Sequence, residues 1–219
     1  MVVTLWSVKG GVGCSVVAAL LALHQADING SALVDINGDL PAILGCPVPP
    51  GAGVAEWLRT GSDGPPDGLA RIATDVGPGL QLIGRGQEPL PAGDPSDVLL
   101  RQLDAFPGSV VIDAGLVWGS SPRAALARWL AGHSTRSVLV TRACYIALTR
   151  AQRAPLAPSG IIVVTEPGRA LGISDIEASV GAPVIAKVAY DMAVARAVDS
   201  GLLTSRYPRG LRRALQNVA

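Results

Sequence analysis

One stretch constrains this chain more than any other: Ser7-Val8-Lys9-Gly10-Gly11-Val12-Gly13-Cys14-Ser15-Val16. An apolar run from Val2 to Trp6 precedes it and reads as a buried strand; Val17 to Leu23 follows and reads as a helix. A strand, a glycine-rich turn and a helix N-terminus in that order form a cradle for an anion. The glycines let successive backbone N–H groups converge on it, and the helix dipole adds partial positive charge.

The rest of the chain supplies the fold that such a turn needs. Its 219 residues are enough for one sizeable domain, residues 1–219, with a well-buried core. Alternating signals predict strands at Ala32–Ile36, Leu80–Ile83, Val110–Gly115, Ser137–Thr141, Gly160–Val164 and Val184–Val188. Between them, helical patterns cover Val54–Arg59, Pro95–Leu103, Ala124–Leu130, Cys144–Arg153, Ile173–Val180 and Met192–Ser200. Asp94 and Asp191 are placed as N-caps, and Ser174-x-x-Glu177 has the form of a capping box. Pro47 to Gly53 and Ser62 to Gly68 are Pro/Gly-rich excursions. Strands apolar on both faces and separated by helices predict an α/β fold, a mostly parallel twisted sheet with helices on both faces. Ligands in such sheets bind at the carboxyl ends of the strands, where Asp35, Asp39 and Asp113 fall.

Composition excludes several classes. At 49% hydrophobic and 16% charged the chain is neither disordered nor a coiled coil, and a net charge of +1 gives no global attraction to nucleic acid or membrane. Cys14, Cys46 and Cys144 lack metal-ligand spacing and read as reduced thiols of a cytoplasmic protein. Met1 runs directly into a strand, so no leader is expected, and no apolar run reaches membrane-spanning length. Two of the eighteen basic residues are lysines, Lys9 and Lys187, and one of them lies in the loop.

The general P-loop pattern is Gly, four residues, then Gly-Lys-Ser/Thr. Here Val8 stands at the first Gly and Cys14 at the lysine. Lys-Gly-Gly-Val-Gly-x-Ser resembles the deviant Walker A motif of the ParA/MinD family, Lys-Gly-Gly-x-Gly-Lys-Ser/Thr, which tolerates a non-glycine at Val8. The resemblance runs from Val2 to about Leu203 and implies a P-loop NTPase-like fold that binds ATP or ADP with Mg²⁺. It implies nucleotide contacts from Lys9, Gly10, Gly11, Val12, Gly13, Cys14, Ser15 and Val16. Lys9 matches the signature lysine that reaches across a homodimer to the partner's phosphates.

Three apolar residues, Val110 to Ile112, ending in Asp113 present a Walker-B-type carboxylate near Mg²⁺; such an aspartate can equally cap the turn that follows. Asp113-Ala114-Gly115 is similar to the family's switch II start. Val34-Asp35-Ile36-Asn37-Gly38-Asp39-Leu40 resembles its switch I, normally Asp-x-Asp, with Asn37 at the second aspartate. Asn can hydrogen-bond water but cannot act as a carboxylate base. The resemblance thus implies Lys9, Asn37, Asp39 and Asp113 as catalytic candidates, and Ser15, Asp35 and Asp113 as Mg²⁺ candidates. Gly38-Asp39-Leu40 is similar to the TadZ/CpaE pilus-assembly branch. Thr165-Glu166-Pro167-Gly168 replaces the strand end that often carries an adenine-contacting Asn, and Val188 to Gly201 resembles the family's closing strand and helix.

Residues 204–219 read as a terminal amphipathic helix, with Leu211, Ala214, Leu215 and Val218 on one face. Its Arg209, Arg212 and Arg213, with Arg206, could meet lipid or nonspecific DNA at a membrane or nucleoid periphery, as relatives do, or the helix could pack on the core. Trp57, Trp118 and Trp129 read as core or interface residues.

Replacing a P-loop lysine with neutral Cys14 keeps the N–H cradle and removes a charge-assisted contact. That costs about 1.5–3 kcal/mol, roughly ten- to a hundredfold in affinity. Hydrolysis should suffer more than binding, because the transition state spreads charge over the transferred group. A cysteine at a helix N-terminus can be a reactive thiol; a neutral one suits bound phosphate better. The sequence therefore predicts a ParA/MinD-like positioning or localisation protein with weak or lost ATP hydrolysis. It would act as a dimerising scaffold with an unidentified cargo or activator. The alternatives are a slow positioning ATPase using Lys9 in trans and a nucleotide-free interaction module.

Overall fold

The computed structural model describes residues 1–47, 51–60, 65, 67–93, 97–206 and 210–218. Among the described residues, eight strands form one sheet in the order β3-β4-β2-β5-β1-β6-β7-β8. The strands are β1 (Val2–Ser7), β2 (Ser31–Asp35), β3 (Thr74–Gly77), β4 (Leu80–Ile83), β5 (Ser109–Leu116), β6 (Arg136–Arg142), β7 (Gly160–Thr165) and β8 (Val184–Ala189). Every pairing is parallel except that of edge strand β3 with β4.

Alternation along each strand explains the two layers of helices. Val3 and Leu5 of β1, Leu33 of β2 and Val111 of β5 point into one core with the apolar face of α1 (Cys14–Asn29). Val2, Ala32, Val34, Val110 and Ile112 point the other way, toward α3 (Val54–Thr60), α5 (Asp97–Asp104) and α6 (Pro122–His133). Ile161 and Val163 of β7 meet α7 (Tyr145–Gln152) and α8 (Ile173–Val180) on that same face.

The short α2 (Leu40–Leu44) and α4 (Gly68–Ile72), and strand β3, are additions to the sequence reading. β3 carries Val76 as its one large apolar side chain on an exposed edge, so it gives no hydrophobic pattern to read. α8 begins at Gly172, whose N–H donates to Asp175 Oδ2 at 2.7 Å. Ser174 and Glu177 therefore do not form the expected capping box; Glu177 Oε1 instead accepts from Val184 N at 2.7 Å. Asp191 does cap α9 (Met192–Asp199), accepting from Ala193 N at 2.7 Å. Asp94 lies outside the described residues.

The terminal helix, α10 (Gly210–Leu215), is shorter than residues 204–219. Leu215 and Val218 are fully buried in the α1-side core, and Arg136 Nη1 donates to Val218 O at 2.7 Å. Those two side chains belong to the domain and are not free for a lipid surface. Leu215→Ala should cost about 2–5 kcal/mol in urea unfolding, as a buried leucine does. A cost under about 1 kcal/mol would show that the terminus is not part of the core. No helix among the described residues is long and apolar enough to cross a membrane.

Candidate functional site

β1 is the central strand, flanked by β5 and β6, and its carboxyl end opens into the loop 8–13. Gly11 and Gly13 adopt φ of 74° and 93°, which L side chains rarely reach, and a Cβ on Gly10 or Gly11 would project into open space. The loop thus curls around a free volume, ending at α1 with Gly13 in the N-cap position. Val8 is 1% exposed and packs among Trp6, Ala114 and Val117 beneath the loop. A glycine is not needed there because that residue belongs to the core and not to the cradle.

An open cleft of about 430 Å³ lies over the loop. Lys9, Gly10, Gly11, Val12, Gly13, Cys14, Ser15 and Val16 all line it, together with Asn37, Asp39, Gly115 and Arg123. The eight residues read as nucleotide-binding are therefore contiguous on one wall, and the two switch-like segments form the other. Lys9 sits at the rim, with Nζ donating to Gly10 O at 3.2 Å. Asn37 Nδ2 donates to Asp39 Oδ2, and the Asn37 side chain packs over Gly115, where a Cβ would meet Asn37 Oδ1 at 3.0 Å.

Asp113 ends its apolar run beneath the cleft and is fully buried. A register shift in β1 between Leu5 and Trp6 sets Leu5 opposite Asp113 and Trp6 opposite Gly115. Asp113 Oδ1 accepts from Gly115 N at 3.1 Å, while Oδ2 is buried with no partner in hydrogen-bond geometry. Burial raises its carboxyl to about 6; the Ser15 hydroxyl opposes the rise, neighbouring Asp35 adds to it, and Gly115 N–H and the Cys14 thiol oppose it. Burial also pushes the Cys14 thiol well above its ordinary value, and Asp113 adds to this. Burial and Asp113 thus both favour the neutral form of the Cys14 thiol. The thiol shifted the other way, below its ordinary value, is Cys144, which the sequence reading did not single out. Backbone N–H groups at the start of α7 act on it most strongly, with Lys9 and Arg169 contributing.

Asp35 is brought next to Asp113 by strand register but serves a different purpose. Its Oδ1 accepts from Asn37 N (2.9 Å) and Gly38 N (2.6 Å), and Oδ2 from Leu40 N (3.1 Å). Both oxygens shape the turn into α2. Burial raises its carboxyl and these N–H groups oppose the rise. Asp35 lines a separate cavity with Arg85 and Gly86 and not the cleft.

An apolar cavity of about 230 Å³ adjoins the loop on the β7–β8 side. Gly13 and Val16 line both spaces; Val164, Val188, Tyr190 and Val194 complete the apolar walls. Arg142 crosses its mouth. Its Nη1 donates to Glu166 Oε1 at 2.6 Å, its Nε to Val12 O at 3.4 Å, and its guanidinium lies 5.5 Å from the Tyr190 ring centroid. Arg169 binds the other Glu166 oxygen. Glu166 is thereby committed to two arginines.

The site has the parts that a phosphorylated ligand and a hard cation need. Converging loop N–H groups and open space above Gly10 and Gly11 suit phosphate; the Ser15 hydroxyl and the orphaned Asp113 Oδ2 beside it suit Mg²⁺. A parallel sheet with a glycine loop between its central strand and α1 defines the class of P-loop NTPase folds.

Within that class the fold is that of the ParA and MinD ATPases. The ParA family ATPase of Chlorobium tepidum TLS superposes with a TM-score of 0.72, at 20% identity, over 97% of this chain and 96% of that one. The septum site-determining protein MinD of Pyrococcus horikoshii OT3, complexed with Mg-ADP, gives 0.71 at 18% identity, over 100% and 94%. The MinC:MinD cell division complex of Aquifex aeolicus gives 0.71 at 17%, over 99% and 91%. At these identities the likeness establishes the fold. No family model and no curated protein sequence matches the chain.

Proposed function

We propose that this chain is a ParA/MinD-type positioning or localisation protein that binds ATP or ADP with Mg²⁺, hydrolyses it weakly or not at all, and works as a dimerising scaffold. The observation that carries this reading is a cleft lined by the whole glycine loop, with a buried Cys14 at the position that would carry the lysine. The loop that wraps phosphates is kept, while the position that supplies lysine charge holds a buried neutral thiol. The Mg-ADP bound to the Pyrococcus horikoshii neighbour supports the ligand class, and the MinC:MinD complex supports a protein partner.

On this reading the loop N–H groups hold phosphate oxygens, Ser15 and Asp113 hold Mg²⁺, and the apolar cavity beside Val16 takes the base. Bound Mg²⁺ neutralises phosphate charge. Asn37 positions a water without deprotonating it, and its tie to Asp39 keeps that carboxylate close by. The weakness in hydrolysis follows from both changes: no lysine on the transferring group and no carboxylate at position 37.

Lys9 favours the second reading, a slow ATPase completed in trans. It lies at the rim with its ammonium bonded to the adjacent Gly10 carbonyl, so it can turn to a partner's phosphates. Light scattering of the full chain tests the dimer: Mg-ATP should convert monomer to dimer, and Lys9→Ala should remain monomeric while still binding ATP. Unchanged dimerisation of Lys9→Ala would remove the trans role. Arg206 and Arg213 are exposed for a surface contact at a membrane or nucleoid in the cytoplasm. Arg209 and the Arg212 side chain lie outside the described residues.

A further inference from the structure

A cradle that has lost its lysine needs a cation from elsewhere. Among the described residues, two basic side chains line the cleft, Lys9 at the rim and Arg123. Arg123 is the second residue of α6 and reaches across from the β5–α6 side. It is half-buried. Its Nη1 donates to Ala114 O at 3.5 Å, the carbonyl next to Asp113. A guanidinium carries five N–H donors, so most of this one stays uncommitted. It forms no ion pair with a carboxylate among the described residues.

Its neighbours differ. Arg128, also on α6, spends Nη1 on Val117 O and Gly119 O, both at 2.7 Å, and so pins the loop that leads into α6. Arg142 is committed to Glu166. Arg123 therefore springs from the start of a helix whose lead-in loop is fixed, with its charge unspent. It also sits in the first turn of a helix, against the positive end of the dipole, and no acidic residue there offsets it. An anion in the cleft would relieve both.

Direction follows from the sheet order. The apolar cavity lies at the β7–β8 side, the loop at β1, and Arg123 with Asn37 and Asp39 at the β5–β2 side. A nucleotide with its base in the apolar cavity runs its phosphates along the loop and ends at Arg123. We infer that Arg123 supplies, from α6, the positive charge on the terminal phosphate that Cys14 no longer supplies from α1. This rests on the nucleotide reading above and assigns that site a preference for nucleoside triphosphate over diphosphate.

The test is titration of the full chain with ATP and with ADP, both with Mg²⁺. Arg123→Ala and Arg123→Gln, the latter keeping the stem and a donor for Ala114 O, should lose about tenfold or more in ATP affinity. ADP affinity should change by less than about threefold, since ADP stops short of the guanidinium, and Arg123→Lys should keep most of the ATP affinity. Cys14→Lys in the Arg123→Gln background should restore ATP binding. Unchanged ATP affinity in a folded Arg123→Gln, or equal losses for ATP and ADP, overturns the assignment while leaving the nucleotide reading intact. A wild type that binds neither nucleotide overturns both.

Discussion

Cys14→Lys should tighten Mg-ATP binding by about ten- to a hundredfold, the value of a charge-assisted phosphate contact regained. Position 14 begins α1 and lines the cleft, so a side chain longer than the buried thiol can extend from it toward the cradle. The new ammonium would also lie near Asp113, where burial now holds the carboxyl at about 6, and draw it back toward the ordinary carboxylate range. Titration calorimetry reads the affinity. No gain would mean that something other than the missing charge limits the cleft, and the physical account of Cys14 would fall.

The second large effect concerns pH. Asp113 titrates at about 6 in the folded chain against an ordinary 3.8. A group raised on folding contributes its stability fully below the unfolded value and loses it as pH rises through the folded value. The metal-free protein should therefore be more stable at pH 5 than at pH 7.5, by about 1–1.5 kcal/mol from Asp113 alone. Asp35 is shifted the same way and adds to the slope. Glu56 is held at about 2, so its contribution changes only below this window. Although burial disfavours its charge, N–H groups of Glu88, Gly53 and Gln87 outweigh that. Asp113→Asn keeps the shape and removes the buried charge, so it should raise stability at pH 7.5 and remove most of the slope. Urea midpoints at both pH values in EDTA check this. A wild type less stable at pH 5, or an undiminished slope in Asp113→Asn, would contradict it.

The two effects share a cause. Asp35 and Asp113 are paired across β2 and β5, and the thiol facing Asp113 brings no positive charge. A cation or a lysine at position 14 would therefore act on Asp113 in the same sense, favouring its charged form.

Much of this was legible in the sequence because it is local. An apolar strand, a glycine loop and an apolar helix are contiguous, and Asp113 ends an unbroken apolar run. Val8 looked like a departure and proved to be a core residue, a distinction that needs the third dimension. Asp35 looked like a metal candidate, but three backbone N–H groups a few residues on claim both of its oxygens. The arginines were the least legible. Arg123 and Arg142 reach the site through long side chains from α6 and β6, more than a hundred residues from the loop, and Arg128 braces the approach to α6, with no local pattern to mark any of them. Ser174 matched a capping pattern, yet the chain placed Gly172 at the helix start and used Asp175.

The central claim is that a phosphate-binding loop has been kept while hydrolysis has been weakened or given up. Phosphate release by the full chain, at ATP and Mg²⁺ concentrations where calorimetry shows the site filled, tests it most directly. The account predicts ATP bound in a Mg²⁺-dependent way with phosphate release near the protein-free background, and Lys9→Ala indistinguishable from wild type. Sustained turnover by the wild type that Lys9→Ala abolishes would contradict it.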